Sequence, residues 1–355
     1  MQKIKEYDSL RIWATFLVII GHCRYYTITT NYGGINYSVL YDSIQEPMMH
    51  KILGLIVGFI YSFHMPLFIA LSGALFRYTT KEKEVKFSFF VKSKINRLVI
   101  PFIVVSIFYS IPIKFFSGYY NESNNLFYDI FLGQICLLGN SHLWFLITLF
   151  FDFIIIYIIE KIILKKNKIK LGVFFCLWII FTNVNIPVLS SVLSYLLWFY
   201  LGYIFEDKRN AFNKFVLNYK KELVLSIIIM IALFIFNSII DNRNIIILGF
   251  IHKIIAFILI ILGCYISYTM SLIFSKKNIY NKDFIKNLSI VSFGLYLYSD
   301  PLNYLFLYII SNVDNTLFST ELGSLIIFFI RLIGTFILAY IITDILKKLK
   351  IKYIC

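Results

Sequence analysis

Charged side chains are scarce in this chain of 355 residues: Asp, Glu, Lys and Arg together make up 15% of it, and 19 carboxylates stand against 34 basic groups. With 59% of residues hydrophobic, 19% aromatic and a mean hydropathy of +0.79, that shortage excludes an ordinary water-soluble globule. Runs of about 20 apolar residues recur along the whole length, the signature of a polytopic helical membrane protein. The five cysteines (Cys23, Cys136, Cys176, Cys264 and Cys355) show neither close pairing nor metal-ligand spacing. Four of them lie in or beside apolar segments as small hydrophobes, and no metal is expected. Linkers, low-complexity tracts, a separate soluble domain and internal repeats are also missing. Residues 1–355 therefore read as one integral membrane domain, and the missing repeat counts against transporters built from duplicated halves. The basic start MQKIKEYDSLR is not followed by a small-residue cleavage site, so the first span is expected to be retained.

What is present organises into about ten spans, near 10–30, 52–77, 95–117, 142–164, 169–185, 188–206, 221–240, 246–274, 289–311 and 321–346. The fold class is thus an all-α polytopic membrane protein. The net charge of +15 invites a nucleic-acid reading, but its distribution argues otherwise. With the N-terminus inside, 27 Lys and Arg fall in the inner segments against four (Arg24, Lys51, Lys114 and Arg243) in the outer ones. That asymmetry predicts an N-in, C-in topology and no nucleic-acid partner. The longer outer loops, about 25–51 and 118–141, are polar and aromatic; they read as solvated connections, with a half-inserted or interfacial helix conceivable over 126–139.

The first span holds the most informative stretch, Arg11 to His22. Eleven steps of about 100° bring both side chains to one helix face, some 16 Å apart along the axis. Ionisable groups inside a span are costly there and point to function. His64 in FHMPLFIALSG is expected at a depth within about 10 Å of His22. A histidine titrates near neutrality and suits the removal of a proton from a hydroxyl. Cys23 neighbours His22 but points about 100° away on a helix, which rules out a dyad. Ser72-Gly73 and Gly54-x-x-x-Gly58 read as small pairs that let helices approach closely. Asp152, Asp300 and Arg331 all fall near mid-membrane, and Asp300 with Arg331 reads as a buried structural ion pair. Lys253 and Arg243 lie toward the outer side. His142 opens the fourth span at its outer boundary, where Trp144 is a normal interfacial anchor.

Five motifs carry a resemblance: DSLR…GH (Asp8, Arg11, His22), FHMPLFIALSG, KINRLVIPF, HLWFL and SFGLYLYSDPL. In this order, from residue 8 to about 301, they resemble the acyltransferase family 3 integral membrane proteins, which acylate sugars and often O-acetylate cell-surface glycans. The resemblance implies a cytoplasmic acyl-CoA co-substrate, acetyl-CoA in the commonest case, with no bound cofactor. It implies an acceptor reached from outside, Arg11 and His22 as the essential pair, and site walls around His64 and Arg97. Where many members end the late motif in histidine, this chain has Ser299, followed by Asp300-Pro301.

The expected protein is a multi-pass O-acyltransferase of the bacterial plasma (inner) membrane, a setting that the abundance of Ile, Asn, Lys and Tyr suits. His22 and His64 would be catalytic, His22 as general base; Arg11 and Arg97 would bind the donor, and His142 and Trp144 would stand on the acceptor side. Partners would be acyl-CoA, a glycan or glycolipid acceptor and membrane lipid, with a homodimer or glycan-assembly proteins as further candidates. The competing reading is a non-enzymatic flippase or transporter for a glycolipid or exopolysaccharide, supported by the span count and intramembrane charges. A sensor or assembly subunit is a third reading, for which no signalling domain is visible.

Overall fold

The computed structural model describes residues 4–40, 45–81, 85–162, 166–218, 220–240, 246–277, 280 and 283–351. Arg243 and Cys355 lie outside them. Of the described residues 82% are helical. In order, α1 spans Lys5–His22, α2 Met48–Tyr61, α3 His64–Thr80, α4 Phe87–Phe116, α5 Leu126–Ile135, α6 Trp144–Ile162 and α7 Asn167–Phe181. Then follow α8 at Leu189–Asn218, α9 at Lys220–Ile239, α10 at Ile246–Ser275, α11 at Asp283–Val313 and α12 at Glu321–Lys348. Helices cover part or all of each of the ten segments drawn from the sequence. Among the described residues six are long and apolar enough to cross a membrane: Met48–Thr80 (α2 with α3), α4, α8, α9, α10 and α12. Helix is the expected form, because an apolar run in lipid must satisfy its own backbone.

Two departures from the sequence reading have clear causes. The first helix ends at His22 rather than near residue 30. After Arg24 the chain turns into a hairpin, β1 Thr27–Thr30 against β2 Gly33–Asn36, antiparallel, with Thr27 opposite Asn36 and Thr30 opposite Gly33. Thr and Ile favour the pleat, and Gly33 takes the positive φ (114°) of the tight turn. Helix α4 is interrupted by π-helical turns at Ile95–Val99 and Ser106–Ser110. Each leads into a proline, Pro101 and Pro112. A proline lacks the N–H and its ring crowds the carbonyl four residues back, so a widened turn relieves both problems.

The chain forms two compact units, each discontinuous in sequence: residues 1–14, 59–87 and 151–289, and residues 15–58, 88–150 and 290–355. In the first unit α3 and α8 meet backbone to backbone. A Cβ on Gly73 would collide with the Phe199 carbonyl oxygen, and one on Gly202 with that of Ala70. The close approach expected at Ser72-Gly73 is thus present and reciprocal, with Phe76, Phe153, Phe199 and Tyr203 packed around it. Gly54 does not serve a helix contact: its missing side chain makes room for the Arg24 guanidinium, 3.0 Å from where a Cβ would sit. Helix α9 exposes Val224, Leu225, Ile228, Ile235 and Phe236, an apolar face that suits lipid contact rather than water.

The second unit carries an aromatic cluster in which Tyr26 and Ile35 of the hairpin region pack with Tyr119, Tyr120, Tyr304 and Phe318. The Gly34 amide also donates to the Tyr119 carbonyl at 2.8 Å. This packing fixes the chain just beyond His22.

Candidate active site

The last residue of α1, His22, meets α11 through Asp300. Its Nδ1 lies 2.9 Å from Asp300 Oδ1, and the Tyr25 hydroxyl donates to the same oxygen at 3.2 Å. His142, from the segment preceding α6, places Nδ1 3.3 Å from the other carboxylate oxygen. Two imidazoles therefore flank one buried carboxylate. Of the three side chains His22 keeps 24% of its surface exposed, against 2% for His142 and 4% for Asp300. His22 is the member of the cluster that a substrate can reach.

The local sequence explains why α11 can receive His142. Pro301 sits inside this helix and has no N–H to give the carbonyl four residues earlier, that of Leu297. That carbonyl accepts instead from His142 Nε2 at 3.0 Å. The Tyr296 hydroxyl donates to the His142 carbonyl, and the Tyr109 hydroxyl to the carbonyl of Tyr298. The Ser-Asp-Pro sequence thus supplies a carboxylate and an opened main-chain acceptor one turn apart. Ser299 Oγ is buried without a hydrogen-bond partner; its neighbour Asp300 makes the contacts.

A second network holds the segment that delivers His142. Lys114, fully buried, donates from Nζ to Gln134 Oε1 at 3.0 Å and to the carbonyl of Asn140. Gln134 Nε2 donates to Ser141 Oγ at 2.8 Å and to Ser106 Oγ at 3.3 Å. Gln134 and Ser106 both occupy π-helical turns, a feature common at functional sites.

The expected ion pair between Asp300 and Arg331 does not form. Arg331, completely buried in α12, donates from Nη2 to the His22 carbonyl at 2.8 Å, from Nη1 to the Tyr25 carbonyl at 2.7 Å and from Nε to Asn303 Oδ1 at 2.9 Å. Its guanidinium lies 4.7 Å from the centre of the Tyr25 ring. The end of α1 presents unpaired carbonyls and the negative end of a helix dipole, which attract a buried cation. The imidazoles leave Asp300 no need of a guanidinium.

The other residues expected from the sequence lie elsewhere. Arg11, in the first unit, is 3.7 Å from Asp8 one turn earlier. Beside them, outside the spans, burial pushes the Tyr280 hydroxyl up to about 12, with Asp8 adding to the effect and Arg11 opposing it. His64, also in the first unit, opens α3 after the break from α2, with Nδ1 3.2 Å from the Ile60 carbonyl and its ring stacked on Tyr61. Arg97 is exposed on the first π turn of α4, and Trp144 is half-buried at the start of α6. Cys23 is buried, with Sγ donating to the Ile19 carbonyl. Among the described residues no group of three or more His, Cys, Asp or Glu is arranged to hold a metal ion.

Helices long and apolar enough to cross a membrane, with a buried carboxylate flanked by two imidazoles among the helices, define the class as a multi-pass membrane protein. The chain belongs to an acyltransferase family: its acyltransferase domain matches residues 4–344, nearly the whole length. The resemblance drawn from the five motifs to acyltransferase family 3 is thereby shown. No curated protein and no solved structure matches the chain.

Proposed function

We propose that this acyltransferase moves an acyl group, acetyl in the simplest case, from acyl-CoA to a hydroxyl of a cell-surface or lipid-linked glycan, with His22 as general base. The observation that carries the reading is the 2.9 Å contact between His22 Nδ1 and Asp300. A carboxylate accepts the Nδ1 proton, which fixes the tautomer and leaves Nε2 as the basic nitrogen. Nε2 takes the proton of the acceptor hydroxyl as its oxygen attacks the thioester carbonyl carbon. The C–S bond then breaks, CoA leaves as thiolate, and the imidazolium returns a proton to it. Asp300 stabilises the imidazolium in between, and the Tyr25 hydroxyl, donating to the same carboxylate, holds Asp300 in register. No acyl-enzyme is required, in keeping with the buried, helix-bonded Cys23.

The chain lies in the bacterial inner membrane in this reading, with about ten spans and both termini inside. Arg11 and Arg97 serve the phosphates of CoA on the inner side, where a guanidinium grips phosphate through two parallel bonds. Trp144, half-buried, and His142, buried beside Asp300, stand on the acceptor side. His64, with its ring committed to Ile60 and Tyr61, is given a supporting part. The test is His22→Ala in membranes containing equal amounts of protein. Transfer should fall by about 10² to 10⁴, and undiminished transfer would end the general-base assignment.

A further inference from the structure

One cavity in the first unit has no part in the chemistry above. It is open on one side and offers about 710 Å³, within the roughly 300–1,000 Å³ of small-molecule sites. Its wall is formed by the break between α2 and α3, the end of α7, and faces of α8 and α10, with Trp178, Trp198, Tyr61 and Tyr195 contributing aromatic rings. Trp178 and Trp198 both pack on Phe257 and meet edge to face at 6.0 Å, which makes that side of the cavity rigid.

Its charge is one-sided. Lys253 and His252 line it, and none of the residues around it is acidic. Lys253 Nζ donates to the Ile179 carbonyl at 2.7 Å, in the last turn of α7. A helix end offers about half an elementary charge, so much of the ammonium charge remains uncompensated, with N–H donors to spare. His252 Nδ1 is buried with no hydrogen-bond partner.

The three serine and threonine hydroxyls of the lining have their protons committed. Ser62 Oγ donates to Phe59, Thr182 Oγ1 to Trp178 and Ser194 Oγ to Ser191, each to a carbonyl three or four residues earlier. With their protons committed, these three oxygens present lone pairs, so a complementary ligand brings hydroxyl donors along with its negative charge. A phosphate ester whose other arm carries no hydroxyl brings the charge alone.

The geometry points to a binding site for a sugar that carries a phosphate. Resting on the acyltransferase reading, the site narrows the class of the acceptor to phosphate-bearing sugars. The full chain in a polyoxyethylene detergent, which carries neither sugar nor phosphate, is titrated with glucose 1-phosphate and followed by tryptophan fluorescence, since two of the four tryptophans stand in the wall. A saturable change is expected, with glucose and inorganic phosphate each at least tenfold weaker. Lys253→Gln should weaken binding about tenfold and Lys253→Arg should restore it to within about threefold. A dodecyl phosphodiester of glucose that binds more tightly than glucose 1-phosphate marks the source as lipid-linked, and equal affinity marks it as free. The proposal is overturned if no saturable change occurs, or if glucose, inorganic phosphate or dodecyl phosphate matches glucose 1-phosphate. A well-folded Lys253→Gln that binds like the parent chain overturns it equally. His22→Ala reports on the active site separately: it should bind glucose 1-phosphate unchanged while losing transfer.

Discussion

Replacing Asp300 by asparagine removes one charge and almost no volume. With its amide oxygen toward His22 Nδ1 and its NH2 toward His142 Nδ1, the asparagine can occupy the same space between the same rings. The polar contacts are kept while the charge that supports a protonated His22 is lost. At 2.9 Å and an effective dielectric constant of about 20, a full unit charge pair is worth about 6 kcal/mol. The imidazolium spreads its charge over the ring and exists fully only after proton transfer, so about half of that should reach the transition state. Three kcal/mol is roughly a hundredfold in rate, and we expect Asp300→Asn to lose about 10² to 10⁴ in transfer. The assay is CoA release with a glycan acceptor, in membranes matched for protein content, with thermal unfolding in detergent measured in parallel. Asp300→Ala, which strips both histidines of their shared partner, should lower both activity and stability. Transfer within about threefold of the parent rate in a folded Asp300→Asn protein would refute the coupling of carboxylate and base.

Arg331→Met should destabilise the protein by about 3 kcal/mol, since one buried and two part-buried acceptors lose their donor at about 1–3 kcal/mol each; a melting temperature equal to that of the parent would contradict the capping role. Gly202→Val drives a side chain against the Ala70 carbonyl and should cost at least about 1–3 kcal/mol, seen as lost expression or early unfolding. The same substitution at Gly172, where a Cβ would meet nothing within 4 Å, should be tolerated. Arg11→Lys should weaken acyl-CoA binding while leaving acceptor binding unchanged, because an ammonium cannot reproduce the planar fork; equal acyl-CoA affinity in a binding assay would remove Arg11 from the donor site.

Much of this architecture is written in the apolar runs, and the helices lie where those runs lie. The end of α1 was harder to read. The sequence already turns polar after His22, with Arg24, two tyrosines and three threonines by residue 30, but the residue that caps the helix end, Arg331, is more than 300 residues away in sequence, and the β-branched residues beyond it prefer the pleat. For the site, the motifs named the right segments but not their pairings. Asp300 and Arg331 have opposite charge and similar depth, which made an ion pair the economical expectation. Neither depth nor charge reveals that a helix end and two imidazoles compete for them. The sign that was present is Pro301: a proline inside a helix frees a carbonyl four residues earlier, and a nearby histidine could have been sought as its donor.

The grip of Arg331 on α1 falls on main-chain oxygens, those of His22 and Tyr25. Every amino acid carries that oxygen, so the guanidinium holds the end of α1 whatever side chain stands at position 22. The place where the base is mounted and the base itself are thus under separate control. Position 22 behaves as a socket: glutamine, cysteine or lysine could be set there against Asp300 without unseating the helix, and each would report a different chemistry from the same fixed point.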